Sequence, residues 1–214
     1  MSDPLFDTLF RPTTASDSVA SAPPVREKGG HTRAGNAMSR TRAALLAGAA
    51  RAVEVSGTRI TMAQVAAAAG VAKATLYNHF RTREAVLGAL VVDQVDAIID
   101  AQAGKPLTSA LADAASALSA HPVRRGLARL EPAVLAGLGR IDSGADGWQH
   151  ARAAVGAALA AESRGGADTV LRWLASFVLS AADPESIGRD VAILLDGLPA
   201  VEAPAAAAPV ARPA

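Results

Sequence analysis

The chain has 214 residues, half of them hydrophobic, a formal net charge of +1 and no cysteine. This length and composition suffice for a sizeable buried core, and the lack of cysteine excludes disulfides, thiolate nucleophiles and cysteine-ligated zinc. No apolar run is long enough to span a membrane and no signal peptide is recognisable, so we expect a cytoplasmic protein without a membrane partner.

The first segment, residues 1–38, is rich in Ser, Thr, Pro and Gly, and its Pro-Pro and Gly-Gly pairs predict disorder. Its second half is basic. Arg33 lies in this predicted arm, and Arg40 and Arg42 follow at the start of the first helix. A basic arm in this place reaches the DNA backbone or an adjacent minor groove. The other interpretation is a solubilising tail, and the sequence leaves both open.

A helix-turn-helix pattern follows. The first helix is predicted from about Ser39 to Ser56, and Thr61 is a good N-cap for a short second helix. Gly70 supplies the positive φ that a tight turn between helices needs, and Val71 is the apolar residue that such a turn directs inward.

The third helix is predicted from Ala72 to His79. Its Leu76 and the following Phe80 point inward by their i, i+4 spacing, which leaves a polar face outside. The outward residues are Lys73, Thr75, Tyr77, Asn78 and His79. Such a face fits a DNA major groove, because these side chains donate to phosphates and base edges.

The charge distribution agrees with this interpretation. From Arg26 to Val92 the chain has ten basic and three acidic residues, whereas from Asp93 onward it has ten basic and fourteen acidic residues. A surface that neutralises phosphates releases counterions, and this release supplies most non-specific affinity for DNA. The sequence therefore predicts double-stranded DNA as the partner of the N-terminal part.

Residues 69–83 resemble the tetracycline-repressor-like (TetR) family of bacterial transcriptional regulators, in their Ala-Gly-Val, Lys, Leu-Tyr and His-Phe elements and the Arg that follows. The resemblance implies that Thr61 binds a phosphate, that Tyr77 and His79 contact the backbone, and that Lys73 and Thr75 approach bases. Ala72 and Ala74 stand where the family more often has Ser and Gly, which puts base-level specificity in doubt. The full predicted DNA-binding set is Arg33, Arg40, Arg42, Thr61, Lys73, Ala74, Thr75, Tyr77, Asn78, His79 and Arg83.

The chain is predicted to be all-α throughout. Residues 39–92 would form a three-helix DNA-binding domain, and residues 93–200 a larger helical domain for effector binding and dimerisation, followed by a disordered Ala/Pro tail at 201–214. A long helix from Thr82 to about Ala103 would join the two domains.

Helical segments at 107–120, 123–130, 132–140 and 145–163 carry small aliphatic residues inward, which predicts an apolar effector cavity. The predicted ligand-binding residues are His121, Arg124, Arg125, Arg129 and Trp148. If the arginines border the cavity they would hold an anionic head group, which makes a fatty acid or acyl-CoA a reasonable effector. The other interpretation of the cluster is a solvated helix face.

The last two helices, at about 168–179 and 185–198, carry apolar stripes and resemble the dimerisation helices of the TetR family. The predicted interface residues are Leu171, Leu174, Phe177, Val178, Val191, Leu194 and Leu195. A homodimer would read an inverted-repeat operator with half-sites about one helical turn, roughly 34–36 Å, apart.

These patterns predict a ligand-responsive transcriptional regulator, usually a repressor in proteins similar to this one. The alternative is a DNA-binding regulator that is controlled by a protein partner and has no small-molecule cavity. An enzyme is not expected, because no phosphate-binding glycine loop, metal-ligand spacing or catalytic triad is recognisable. No cofactor or metal is expected either.

Overall fold

The computed structural model describes residues 31–140 and 146–201 of the chain. The predictions of disorder for residues 1–30 and for nearly all of the Ala/Pro tail lie outside the described residues. Within them the fold is all-α, as predicted: there are ten helices, and the one β pairing is a single bridge between Arg164 and Ala200. None of these ten helices is long and apolar enough to cross a membrane.

The first four helices build the N-terminal module. They are α1 (His31–Ser56), α2 (Met62–Ala69), α3 (Lys73–His79) and α4 (Arg83–Asp100), with a short 3-10 turn, Gly57–Arg59, after α1. The first helix begins well upstream of the expected Ser39, so residues 31–38 of the predicted disordered arm are helical. This segment contains no proline, and extending a helix that is already fixed by packing is much easier than nucleating one.

The other six helices follow the predicted breaks to within a few residues. They are α5 (Leu107–Ala120), α6 (Pro122–Leu130), α7 (Pro132–Leu138), α8 (Asp146–Ala161), α9 (Ala167–Leu179) and α10 (Pro184–Asp196). Proline occupies the first position of α6, α7 and α10. Its missing N–H has no helical partner there in any case, so these prolines start helices instead of ending them.

Two hydrophobic cores stabilise the molecule. The core of the N-terminal module contains fully buried aliphatic residues from each of its four helices, namely Leu45, Ala49, Val65, Leu76 and Val86. Burying one such Leu or Val side chain stabilises a fold by about 1.5–3 kcal/mol relative to exposing it. The second core lies among α5, α8, α9 and α10.

The two cores are connected. Leu127 of α6 and Leu135 of α7 belong to the core of the N-terminal module, although both helices lie in the second half of the chain. The first turns of α4 also lie in that core, with Leu87 and Leu90 buried. The two halves therefore share packing and do not form a loose pair of domains.

Candidate functional site

The second helix begins with a reciprocal capping box. The hydroxyl of Thr61 accepts a hydrogen bond from Gln64 N (3.2 Å), and the Gln64 side chain accepts one from Thr61 N (2.7 Å). Gly70 ends the helix at φ +69°, and Val71 N donates back to Ala66 O (3.0 Å). A Cβ at Gly70 would meet nothing within 4 Å. The turn therefore requires glycine for its backbone angle and not for space.

The first two helices cross at very short range. A Cβ at Gly48 would lie 2.6 Å from Ala69 N, and Arg51 donates from Nη2 to Ala68 O. These contacts fix how α2 packs against α1 within the N-terminal module. The sequence analysis did not identify them, although an isolated glycine inside a helix is a signal for close packing.

The outer side of α3 carries the residues predicted to meet DNA. Exposed or half-buried positions are Lys73, Ala74, Thr75, Asn78 and His79. Tyr77 is 45% exposed, which is unusual for an aromatic side chain in a well-packed module. Leu76 and Phe80 are buried. The helix thus turns its apolar side to the core and offers a polar surface with one aromatic ring.

Arg42 of α1 lies next to the end of this surface. Its guanidinium carbon is 4.8 Å from the centroid of the Phe80 ring, a cation–π contact that places a positive charge beside the C-terminal end of α3. Arg40 is exposed on the same helix. Arg33 also lies on α1, but its side chain is outside the described residues.

Arg83 is engaged within the protein. Its Nε and Nη2 lie 3.0 and 2.8 Å from Glu84 Oε1. The backbone amide of Glu84 lowers the pKa of its carboxyl group, and the hydrogen bond from Arg83 lowers it further. A phosphate contact by Arg83 therefore has to compete with this ion pair.

Residues 45–90 match the family model described as bacterial regulatory proteins, tetR family. This segment of the chain is therefore similar to the DNA-binding part of tetR-family regulators. The matched range contains the capping box, the Gly70 turn, the exposed face of α3 and the first turns of α4. These residues form a helix-turn-helix DNA-binding domain of the kind that this family model describes.

Several solved structures are distantly similar to this chain. Two crystal structures of a gamma-butyrolactone receptor described as ArpA-like have TM-scores of 0.46 and 0.45 and identities of 20% and 22%. The alignments cover 78% and 76% of this chain and 92% and 89% of the other chains. NalD, the secondary repressor of the MexAB-OprM multidrug efflux pump in Pseudomonas aeruginosa, has a TM-score of 0.39 at 18% identity, covering 76% of this chain and 98% of its own. No curated protein matches the chain.

A cavity of about 820 Å³, partly open to solvent, lies between α4 and the helices that follow it. This volume lies within the range of roughly 300–1,000 Å³ that is typical of small-molecule sites. The lining is mainly aliphatic and includes Val95, Ile98, Leu111, Leu118, Trp148 and Leu174. The cavity runs along α4 from Gly88 to Asp100, which at 1.5 Å per residue is about 18 Å.

A small polar group interrupts this apolar lining. His121 Nε2 lies 2.7 Å from Gln94 Oε1, a contact that joins the start of α6 to α4. Burial lowers the pKa of His121, and the nearby charge of Arg125 lowers it further, against a weaker opposing effect of Glu54. Burial therefore favours the neutral form of the imidazole. Arg124 also lines the cavity and donates from Nε to Ser119 O (3.0 Å).

The structure brings together three of the five residues predicted to bind a ligand, His121, Arg124 and Trp148. It does not bring Arg125 or Arg129 to the cavity. Both are exposed, and Arg129 donates from Nη2 to Glu54 O (3.2 Å) on α1. Gln94 was not predicted. Its position on the same side of α4 as Val91 and Ile98 was the available signal.

The sixth helix lies between the cavity and α1. Leu127 lines the cavity while its neighbour Gly126 is pressed against α1, where a Cβ would lie 2.6 Å from Glu54 O. At the end of α6, Glu131 accepts a hydrogen bond from Thr58 N. One short helix thus contacts the ligand cavity on one side and the DNA-binding domain on the other.

The residues predicted for a dimer interface lie mostly inside the protomer. Leu171, Phe177, Val191 and Leu195 are buried by this chain itself, and Leu174, Val178 and Leu194 are half-buried. Three of the seven, Leu171, Leu174 and Val178, line the cavity. A side chain that is already buried has no surface left for a partner. The apolar surface that remains on α9 and α10 includes Leu179 and Ile193, which are 50% and 73% exposed.

Metal binding has no support in the described ranges. No group of three or more His, Cys, Asp or Glu side chains is close enough there to hold an ion. The nearest approach to such chemistry is the pair of His150 Nδ1 and Asp96 Oδ1, 2.7 Å apart.

Proposed function

We propose that this protein is a tetR-type, effector-responsive transcriptional regulator, a repressor that leaves its operator when an apolar or acyl-type molecule fills the cavity. The observation that carries this proposal is the sharing of residues between the two sites. Leu127 and Leu135 line the cavity and also belong to the core of the DNA-binding domain. A ligand that displaces them changes the packing beneath the DNA-reading helices.

The DNA-binding role falls to the exposed side of α3 and its surroundings. In the proposal Lys73 and Thr75 approach bases, while Tyr77 and His79 contact the backbone. Thr61 uses its hydroxyl in the capping box, so its phosphate contact comes from the N-terminal N–H groups of α2. Arg42, held over Phe80, adds a charge to the same surface.

Specific recognition by so short a helix requires a second copy. A homodimer reads two half-sites of an inverted repeat, with roughly 34–36 Å between them. We place the dimer contact on the outward side of α9 and α10, around Ile193, because the inward stripes of both helices are already covered. The exposed isoleucine is the kind of side chain that an interface buries.

The cavity supports one of the two regulatory schemes. Regulation by a protein partner alone needs no internal space, and a close-packed helical domain leaves few voids larger than a water molecule. An apolar cavity of about 820 Å³ favours a small-molecule effector.

The test is recovery of DNA fragments bound by the purified full chain at moderate salt, followed by titration of the selected fragment. An enriched inverted repeat is expected, and Tyr77→Ala is expected to weaken binding to it without lowering the melting temperature. The same complex is then challenged with medium-chain acids, alcohols and esters. If no repeat is enriched, the proposed role in transcription regulation is refuted. If the complex with the enriched repeat survives every apolar probe, the proposed effector class is refuted.

A further inference from the structure

The cavity has an open end and an inner end. Apart from Val92, its exposed lining residues lie at the end of α4, in the α4–α5 connection and at the end of α8. Examples are Asp100, Lys105 and Glu162. The lining residues of α6, α7 and α9 are all buried or half-buried. A ligand therefore meets solvent near Lys105 and meets the DNA-binding domain's core at the other end.

The two cations that line the cavity differ in their partners. Lys105, at the open end, is already paired, with Nζ 2.6 Å from Asp113 Oδ2. Arg124, at the inner end, is half-buried and forms no ion pair with a carboxylate in the parts of the chain that the structure describes. Its Nε is used by Ser119 O, and no hydrogen bond of its Nη groups to a described residue is present.

A half-buried guanidinium without a counter-charge is costly to desolvate, so it favours an anion that reaches it. Because Nε donates to Ser119 O, Nη1 and Nη2 are the donors that a ligand can use. Together they match the two oxygens of a carboxylate. The neighbouring His121 adds no second charge, because burial keeps it neutral. The inner end thus offers one positive charge and, next to it, the neutral Gln94–His121 pair.

We propose that the effector is a free carboxylic acid with an aliphatic tail, bound with its carboxylate inward on Arg124 and its tail along α4 toward the open end. This inference rests on the proposed effector site. Of the two effector classes that the sequence suggested, this orientation favours a fatty acid over an acyl-CoA. A coenzyme A thioester has no free carboxylate, and in this orientation its large charged group would have to lie at the enclosed end, where Arg124 supplies only one positive charge.

The experiment measures binding of four probes to the full chain by calorimetry: decanoic acid, its methyl ester, its coenzyme A thioester, and the acid with a fluorescent group on its terminal carbon. The free acid and the tail-labelled acid are expected to bind, and the ester and the thioester at least tenfold more weakly. Arg124→Gln is expected to reduce acid affinity about tenfold to a hundredfold, as for loss of a charged hydrogen bond. Arg124→Lys is expected to recover part of that loss.

The matched control is Arg125→Gln, which removes an adjacent exposed arginine that does not line the cavity. Melting curves confirm that each variant is folded. Equal binding of thioester and acid, or equal losses for the Arg124 and Arg125 variants, overturns the orientation while leaving an effector-responsive regulator in place. If none of the probes binds and the chain still binds its operator, both this inference and the acyl class of the proposed effector are refuted.

Discussion

Glu131, between α6 and α7, accepts a hydrogen bond from the backbone N–H of Thr58 in the turn after α1. The same carboxylate lies 3.6 Å from Arg59 Nε. The approach requires Gly57, because a Cβ there would lie 2.4 Å from Glu131 Oε2 and because its φ is +66°. The turn before the helix-turn-helix is thus held by a residue that follows the cavity-lining helix α6.

Removal of this carboxylate is expected to destabilise the protein. Glu131→Ala leaves Thr58 N without its partner in a part-buried position, at a cost of about 1–3 kcal/mol. Glu131→Gln keeps an acceptor oxygen and should cost less. Urea unfolding of the three proteins measures the difference, and equal losses for both variants would show that the charge matters and the hydrogen bond does not.

Helix packing at Gly126 gives a second prediction. Gly126→Ala places a methyl group 2.6 Å from Glu54 O, a fixed backbone atom, so we expect a loss of about 1–3 kcal/mol from overpacking. Gly156→Ala in α8 is the matched control, because a Cβ there meets nothing within 4 Å. It should stabilise the helix by roughly 0.5–1 kcal/mol. Similar thermal shifts for the two variants would contradict the close contact between α6 and α1.

The local signals of this chain were readable from the sequence, and the tertiary ones were not. Helix ends could be predicted at Thr61, Gly70 and Thr82, because helix caps involve only residues that are close in the sequence. Arg124 and Arg125 are adjacent, yet one lines the cavity and the other faces solvent. Successive helical residues point about 100° apart, so the distinction depends on how α6 is rotated against its neighbours.

The dimer residues show the same limit. The apolar stripe of α10 predicts that one side of the helix is buried, but a stripe does not say what covers it. Here Val191 and Leu195 are covered by the protomer's own second core. Only the folded structure shows that Val191 and Leu195 are buried whereas Ile193 is exposed.

The titration of His121 predicts a pH dependence of stability. Burial lowers its pKa in the folded state below the unfolded value of about 6.5. As the pH falls, the unfolded chain therefore takes up this proton at a higher pH than the folded chain does. The contribution of His121 to the unfolding free energy is constant above a pH of about 6.5, and the unfolding free energy falls as the pH drops below that value. His121→Gln should flatten the dependence of the unfolding free energy between pH 7.5 and 5.5. An unaltered pH dependence in His121→Gln would contradict the assignment.

The proposed dimer contact predicts a change of mass. Ile193→Glu places a charge at an apolar position that is 73% exposed in the protomer, so it should shift the protein toward monomer. Val55→Glu is a control of equal exposure, because Val55 is also 73% exposed but lies on α1. Sedimentation at micromolar concentration measures both. A dimer that survives Ile193→Glu places the interface elsewhere.

The proposed contact of Lys73 with DNA is tested by salt. A lysine that binds phosphate releases about one counterion, so Lys73→Ala should reduce the slope of log affinity against log salt by about one. If Lys73 also reads a base, the loss of affinity is larger on the operator than on an unrelated duplex, by about 1–3 kcal/mol. Lys105→Ala removes the same charge from the far end of the molecule and should leave both quantities unchanged. An unaltered slope for Lys73→Ala would mean that α3 approaches DNA with a different face, and the contacts of Tyr77 and His79 would fall with it.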